Sequence, residues 1–281
     1  MPLYQALILA ILQGLTEFLP ISSTAHLIIV PWLLGWEDPG KAFDVALHAG
    51  TLVAVLAYFW RTWLELALPG LGMRYPAAAT PQELDTRKRL FWSLVAATIP
   101  GALIGFALQH FVEEHLSAPV PIAIAAMLMG LVMWWADARS SGGKHIDDVS
   151  FGDSMFIGFS QALALFPGVS RSGITITTGL LRGLSREAAA RFSFLLATPI
   201  IAGAAAYEIP KLLKLHKAGT MDLSMSTLAI AVAVSGVVGY AAIAGLLRYL
   251  QTRSLKIFVV YRLVFGMVIL LLTFLHFHAA R

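Results

Sequence analysis

The chain contains no cysteine, so disulfides and thiolate metal sites are excluded. Charge is nearly as scarce. Asp, Glu, Lys and Arg make up 13% of the 281 residues, roughly half the share of a soluble domain. Hydrophobic residues make up 58%, and the mean hydropathy is +0.76. A soluble globular fold is therefore excluded, and the sequence predicts an all-α integral membrane protein. No Lys or Arg precedes the first apolar stretch after Met1-Pro2-Leu3-Tyr4, so that stretch does not read as a cleavable signal peptide. The net charge of +4 is carried mostly at the ends of apolar segments, which fits membrane-flanking loops and argues against a nucleic-acid partner.

Six apolar stretches reach the roughly 20 residues needed to cross about 30 Å of hydrocarbon. They lie near Phe43–Trp63, Leu90–Phe111, Pro119–Ala136, Arg191–Ile209, Ser226–Leu250 and Lys256–His276. Two further apolar regions carry polar centres instead. Leu3–Leu34 is interrupted by Glu17, Pro20, Ser22, Ser23 and His26, and Met155–Leu181 by Pro167–Thr175. The arms flanking each centre are about ten residues, or about 15 Å of helix, which is half a membrane. The expected element is a re-entrant helical hairpin, tolerated at depth only where protein or a water-filled cavity surrounds it.

The two centres are versions of each other. Gln161 lies 148 positions after Gln13, while Phe192 and Tyr207 lie 149 after Phe43 and Tyr58. Each half, 1–140 and 150–281, would then be one hairpin followed by three spans. Three is odd, so the second half must be inserted upside down. The expectation is one membrane domain of six transmembrane helices and two re-entrant hairpins in an inverted-topology repeat, with the site where the broken elements meet. Thirteen basic residues between Arg61 and Lys256 fall on one side, against Lys41, Lys211, Lys214, Lys217 and Arg281 on the other. The first side should be cytoplasmic, with both termini outside.

The buried polar residues carry the chemistry. In Pro167-Gly168-Val169-Ser170-Arg171-Ser172-Gly173-Ile174-Thr175, the glycines let backbone N–H groups approach a ligand. A half-helix beginning near Ser172 would favour an anion at its N-terminus. Arg171 adds a planar donor fork suited to phosphate, and Ser170, Ser172 and Thr175 add hydroxyls. In the first centre, Gln13 and Glu17 stand at i, i+4 and could hold a hard divalent cation together with phosphate oxygens. Ser22-Ser23-Thr24 can cap the returning helix. His26 could act as acid, base or metal ligand. Arg262 and His48 lie in or near spans, where each could line the site or bond a helix neighbour. Phosphate binding, a metal and acid–base groups in apolar surroundings point to phosphoryl chemistry on a lipid. A lipid-phosphate flippase with a midplane site is the alternative, although transport does not require the Glu17/His26 pair.

At these motifs the chain resembles the undecaprenyl-diphosphate phosphatase family of bacteria, the bacitracin-resistance type. The (E/Q)xxxE motif is met by Gln13–Glu17, with the neutral option at 13, the SSTxH stretch by Ser22–His26, and PGxSRSxxT by Pro167–Thr175. The likeness spans the full length. It implies hydrolysis of undecaprenyl diphosphate to undecaprenyl phosphate for cell-wall synthesis, in a bacterial inner membrane, with Mg²⁺ or Ca²⁺ as cofactor. By matching position, Glu17 and Gln13 would sit at the metal. Ser22, Thr24, Ser170, Arg171, Ser172 and Thr175 would grip the diphosphate. Glu17, His26, Ser23 and Arg171 would carry the catalysis, by a covalent intermediate at Ser23 or His26 or by direct attack of water. The partners implied are the lipid substrate and membrane lipids, with room for a homo-oligomer.

Overall fold

Apolar helix formers dominate the chain, and helices follow wherever the run is unbroken. The computed structural model describes residues 1–73, 80–140, 142–217 and 224–279. Arg74, one of the thirteen basic residues counted above, and Arg281 lie outside the described residues. Among these residues there are eleven α-helices: α1 (Leu3–Phe18), α2 (Ser23–Leu34), α3 (Lys41–Tyr58), α4 (Trp60–Gly70), α5 (Pro81–His115), α6 (Pro119–Arg139), α7 (Phe151–Ser160), α8 (Arg171–Leu181), α9 (Arg186–Lys217), α10 (Met225–Leu250) and α11 (Lys256–Ala279). Five of them, α5, α6, α9, α10 and α11, are long and apolar enough to cross a membrane. The protein is an all-α, multi-pass integral membrane protein.

The expected span Phe43–Trp63 differs in outcome. Helix α3 stops at Tyr58, the chain bends by 78° around Phe59, and α4 runs on to Gly70. The residues beyond the bend include Arg61 and Glu65, which cannot continue cheaply into hydrocarbon. Taken together, α3 and α4 would make a sixth span. The first hairpin arm also differs: α1 has 16 residues, not about ten. Nothing before Pro20 breaks it. Leu19 is extended (φ −66°, ψ 139°), as the residue before a proline tends to be. The corresponding stretch of the second half begins as α7 and tightens into a 3-10 turn over Gln161–Leu165 before its own proline.

Helix contacts follow one pattern. α1 packs on α10 as α7 packs on α5, and α3 packs on α10 as α9 packs on α5. α6 packs on α11, and α3 on α9. Exchanging α1, α3, α5 and α6 with α7, α9, α10 and α11 leaves this set unchanged. Close approach in such bundles depends on small residues. A Cβ on Gly158 of α7 would stand 2.3 Å from Ala97 O of α5. Gly158→Ala should therefore cost about 1–3 kcal/mol through forced separation of α7 and α5. A thermal melt of the detergent-purified variant that matched the parent would refute this.

Ionic ties hold the ends of the second broken element. Asp153, in the first turn of α7, accepts from Arg182 Nε at 2.7 Å and Lys144 Nζ at 3.0 Å. Asp137 accepts from Arg186 Nε at 2.6 Å and from the backbone N–H of Leu255 at 3.2 Å. Arg182 and Arg186 flank the α8–α9 turn, so these carboxylates fix where α8 ends and α9 begins.

Candidate active site

The two interruptions end on the same device. Ser22 (φ 76°, ψ 96°) and Ser170 (φ 74°, ψ 124°) are the only non-glycine residues with positive φ among those described. They are 148 positions apart, the offset of the two glutamines. Each caps the following helix: Ser22 Oγ accepts from Ala25 N at 3.4 Å, and Ser170 Oγ accepts from Gly173 N at 3.1 Å. A side chain in this conformation is strained and needs support from its surroundings. The result is two helix N-termini, of α2 and α8, brought together at one place.

Direct bonds join the two turns. Gly168 N donates to Ser22 Oγ at 3.2 Å, and Ser172 Oγ donates to Leu19 O at 3.0 Å. Arg262 of α11 lies behind them with no exposed surface. Its guanidinium donates to Pro20 O (2.6 Å), Gly168 O (2.9 Å), Val169 O (2.8 Å) and, more weakly, Ala126 O (3.5 Å). The structure thus resolves the open reading of Arg262: it holds both turns and does not line the cavity.

In front of the turns is a cavity of about 240 Å³. Its polar wall is Glu17, Ser22, Ser23, Thr24, His48, Ser170 and Arg171. Its apolar wall includes Val45 of α3 and Ile200, Ile201 and Ala204 of α9. Glu17 is the hub. One carboxylate oxygen, Oε1, is paired with Arg171 Nη2. The other, Oε2, accepts from Ser23 Oγ at 2.7 Å and Gln13 Nε2 at 3.0 Å, and lies 3.4 Å from His48 Nε2. Arg171 also donates to Ala197 O at 3.2 Å. Glu17 and Arg171 are 154 positions apart, so this pair joins the two halves of the chain.

The sequence-predicted residues do not all reach this wall. Ser172 turns to Leu19 O. Thr175 is buried one turn along α8, bonded to Arg171 O and Ser193 Oγ, each at 2.7 Å. His26 is 3% exposed and faces α11. Its Nδ1 meets Ser22 O at 2.7 Å and its Nε2 meets Tyr261 Oη at 2.6 Å, so both ring nitrogens are engaged. Phe265 stacks on it with ring centroids 4.8 Å apart. His48, by contrast, lines the cavity and touches Glu17. Tyr261 and Ser193 gave no sequence signal, since neither stands in a motif.

Fit to a hard cation turns on Gln13. Its Nε2 serves Glu17, while its Oε1 is buried without a partner. One carboxylate and one amide oxygen on the same helix face suit an ion that takes its remaining ligands from water and substrate oxygens. A second cavity, about 430 Å³, is lined by Thr62, Glu65, Arg87 and Arg191 and gathers none of the motif residues. Phe59 in its wall packs on Phe194, which packs on Phe18 beside Glu17, so aromatic rings lie between the two cavities.

Fold and site together define a polytopic membrane protein with a polar cavity built from two interrupted helical elements. The family model described as bacitracin resistance protein BacA matches residues 6–268. The chain is 48% identical over 272 residues to an undecaprenyl-diphosphatase of Desulforudis audaxviator, covering 97% of this chain and 98% of that one. It is 48% identical to an undecaprenyl-diphosphatase of Moorella thermoacetica (96% and 97% covered) and 45% identical to one of Geotalea daltonii (99% and 100% covered). The chain belongs to the BacA family.

Proposed function

We propose that the protein hydrolyses undecaprenyl diphosphate to undecaprenyl phosphate and inorganic phosphate, returning the carrier lipid to cell-wall synthesis and conferring bacitracin resistance. The observation that carries the reading is the Ser23–Glu17–Arg171 chain at two converging helix N-termini, beside an apolar wall. A hydroxyl hydrogen-bonded to a buried carboxylate is a nucleophile beside its base. Ser23 Oγ would attack the terminal phosphorus as its proton passes to Glu17. The bond from that phosphorus to the bridging oxygen would break, and the prenyl phosphate would leave with the proton returned to it by Glu17. Water, deprotonated by Glu17, would then hydrolyse the phosphoserine. His26 is the weaker nucleophile candidate, because both of its nitrogens are already bonded.

Charge is handled by the residues around the hub. Arg171 would leave Glu17 in part to grip phosphoryl oxygens. The N–H groups of the first turns of α2 and α8 would add donors without reorganisation. Glu17 and Gln13 would hold Mg²⁺ or Ca²⁺, which neutralises phosphoryl charge when bound. The prenyl chain would pass along Val45, Ile200, Ile201 and Ala204 toward lipid.

For the architecture, we read 1–140 and 150–281 as inverted-topology repeats. The α1–α2 and α7–α8 elements would be re-entrant hairpins in the bacterial inner membrane, with both termini outside. The matched offsets, the paired strained serines and the exchangeable helix contacts support this. The Ser23–Glu17 contact favours hydrolysis over lipid transport alone, since transport needs no nucleophile.

Purified protein should release phosphate from a prenyl diphosphate, and Ser23→Ala should lower kcat by about 10²–10⁴-fold. Label from the terminal phosphate should be trapped on the acid-quenched parent protein and not on Ser23→Ala. Wild-type turnover in Ser23→Ala would overturn the serine route.

A further inference from the structure

His48 is unexplained by the mechanism above, although it reaches the hub of the site. Its Nδ1 lies 2.7 Å from the backbone carbonyl of Asp44. A carbonyl can only accept, so Nδ1 carries the ring proton and Nε2 of the neutral ring presents a lone pair. That lone pair lies 3.4 Å from Glu17 Oε2, which is also an acceptor. Two acceptors facing each other need a positive species between them. A proton would draw the pair to about 2.7–2.9 Å, the length of a charge-assisted hydrogen bond. A cation bound at about 2.1 Å to each, with the usual 90–110° between ligands, would leave them roughly 3.0–3.4 Å apart. The observed separation of 3.4 Å has room for such a cation.

The surroundings agree. Gln13 is fully buried, its amide already touches Oε2, and its Oε1 has no partner. A half-turn of that amide aims Oε1 at the same point. Ser23 Oγ, 2.7 Å from Oε2, can ligate through oxygen as readily as it donates. The His48 side chain is 26% exposed and lines the cavity, so an ion can reach it from there. Fixing the distal ring nitrogen on a backbone carbonyl is the usual support of a metal-bound histidine.

We propose that His48 is a third protein ligand of the divalent cation, through Nε2. An imidazole nitrogen adds little for Mg²⁺ or Ca²⁺, which prefer oxygen, and adds more for first-row transition ions. The His48/Glu17/Gln13 set therefore favours Mn²⁺ and its neighbours over Mg²⁺. The proposal rests on the reading that a cation sits at Glu17, and it goes further by naming the ligand that sets the preference.

The test uses full-length protein in detergent with Mn²⁺, alone and with methylenediphosphonate, a nitrogen-free diphosphate analogue. Electron spin echo envelope modulation of the bound Mn²⁺ should show coupling to a directly bonded ¹⁴N, absent in His48→Gln. Mn²⁺ affinity should fall about tenfold or more in His48→Gln, while Mg²⁺ affinity changes by less than about threefold. If Mn²⁺ binds, is lost in Glu17→Gln, and keeps the same spectrum and affinity in His48→Gln, His48 is not a ligand although the cation at Glu17 stands. If the parent binds no Mn²⁺ under either condition, both readings fall.

Discussion

Arg171→Ala should lower kcat/KM for a prenyl diphosphate by about 10³-fold, equivalent to about 4 kcal/mol of transition-state stabilisation. Arg171 supplies the one guanidinium on the cavity wall, and it sits in the first turn of α8, where the helix terminus adds to its field. Its removal has a second effect. Glu17 would keep its burial and lose its ion pair, so the protein should also lose stability. The two effects separate in the double variant Arg171→Met/Glu17→Gln, which removes both charges. That protein should melt near the parent temperature and remain inactive. Arg171→Lys should recover part of the loss only, because an ammonium offers a point charge where a planar fork bonds two oxygens. A kcat/KM within about threefold of the parent in Arg171→Ala would remove the phosphate-gripping role.

The site was legible as a set of residues and not as a set of directions. Glu17, Ser23, Ser170 and Arg171 stand out because each is polar where hydrocarbon is expected, and all four reach one cavity. His26 stands out for the same reason, yet it faces Tyr261 and Phe265 on α11. Which face of a 12-residue helix meets the cavity depends on how α2 packs, and α2 is apolar almost all round, so no periodicity could tell. The bend at Phe59 was hidden for a related reason. The combined α3–α4 stretch still passes as one apolar span, so Arg61 and Glu65 beyond Phe59 read as the end of a span and not as a bend. A constant offset between the two polar segments, by contrast, was readable in the sequence. The same offset of 148 separates the two positive-φ serines, Ser22 and Ser170, although the side chains around them differ: at that offset Ser23 corresponds to Arg171, and Glu17 to Leu165. The two turns match in backbone, while the carboxylate stands beside one and the guanidinium on the other.

Arg262→Met should be the most disruptive single change away from the cavity wall. The side chain is completely buried, has no acidic partner among the described residues, and bonds only to main-chain carbonyls. Those carbonyls belong to Pro20, Gly168 and Val169, which come just before Ser22 and Ser170, and to Ala126 of α6. The strained serines are therefore held by one guanidinium common to both turns. Space for it depends on Gly173, where a Cβ would stand 2.6 Å from Arg262 Nη2. Methionine would fill much of the volume and satisfy none of the carbonyls. At about 1–3 kcal/mol for each strongly bonded acceptor left buried and unpaired, partly relieved by water, a net loss of about 3–5 kcal/mol is expected. Activity should fall by at least about 100-fold even at temperatures where the variant is still folded, because relaxed serines would no longer aim the N-termini of α2 and α8 at one point. Gly158→Ala is the control: it loosens α7 against α5 without touching either turn, so it should lower the melting temperature while keeping kcat in the cold. If Arg262→Met behaved like Gly158→Ala, with stability lost and kcat kept, Arg262 would be packing alone. If kcat fell in the folded variant, the charge behind the two turns would be what keeps both halves of the site in register.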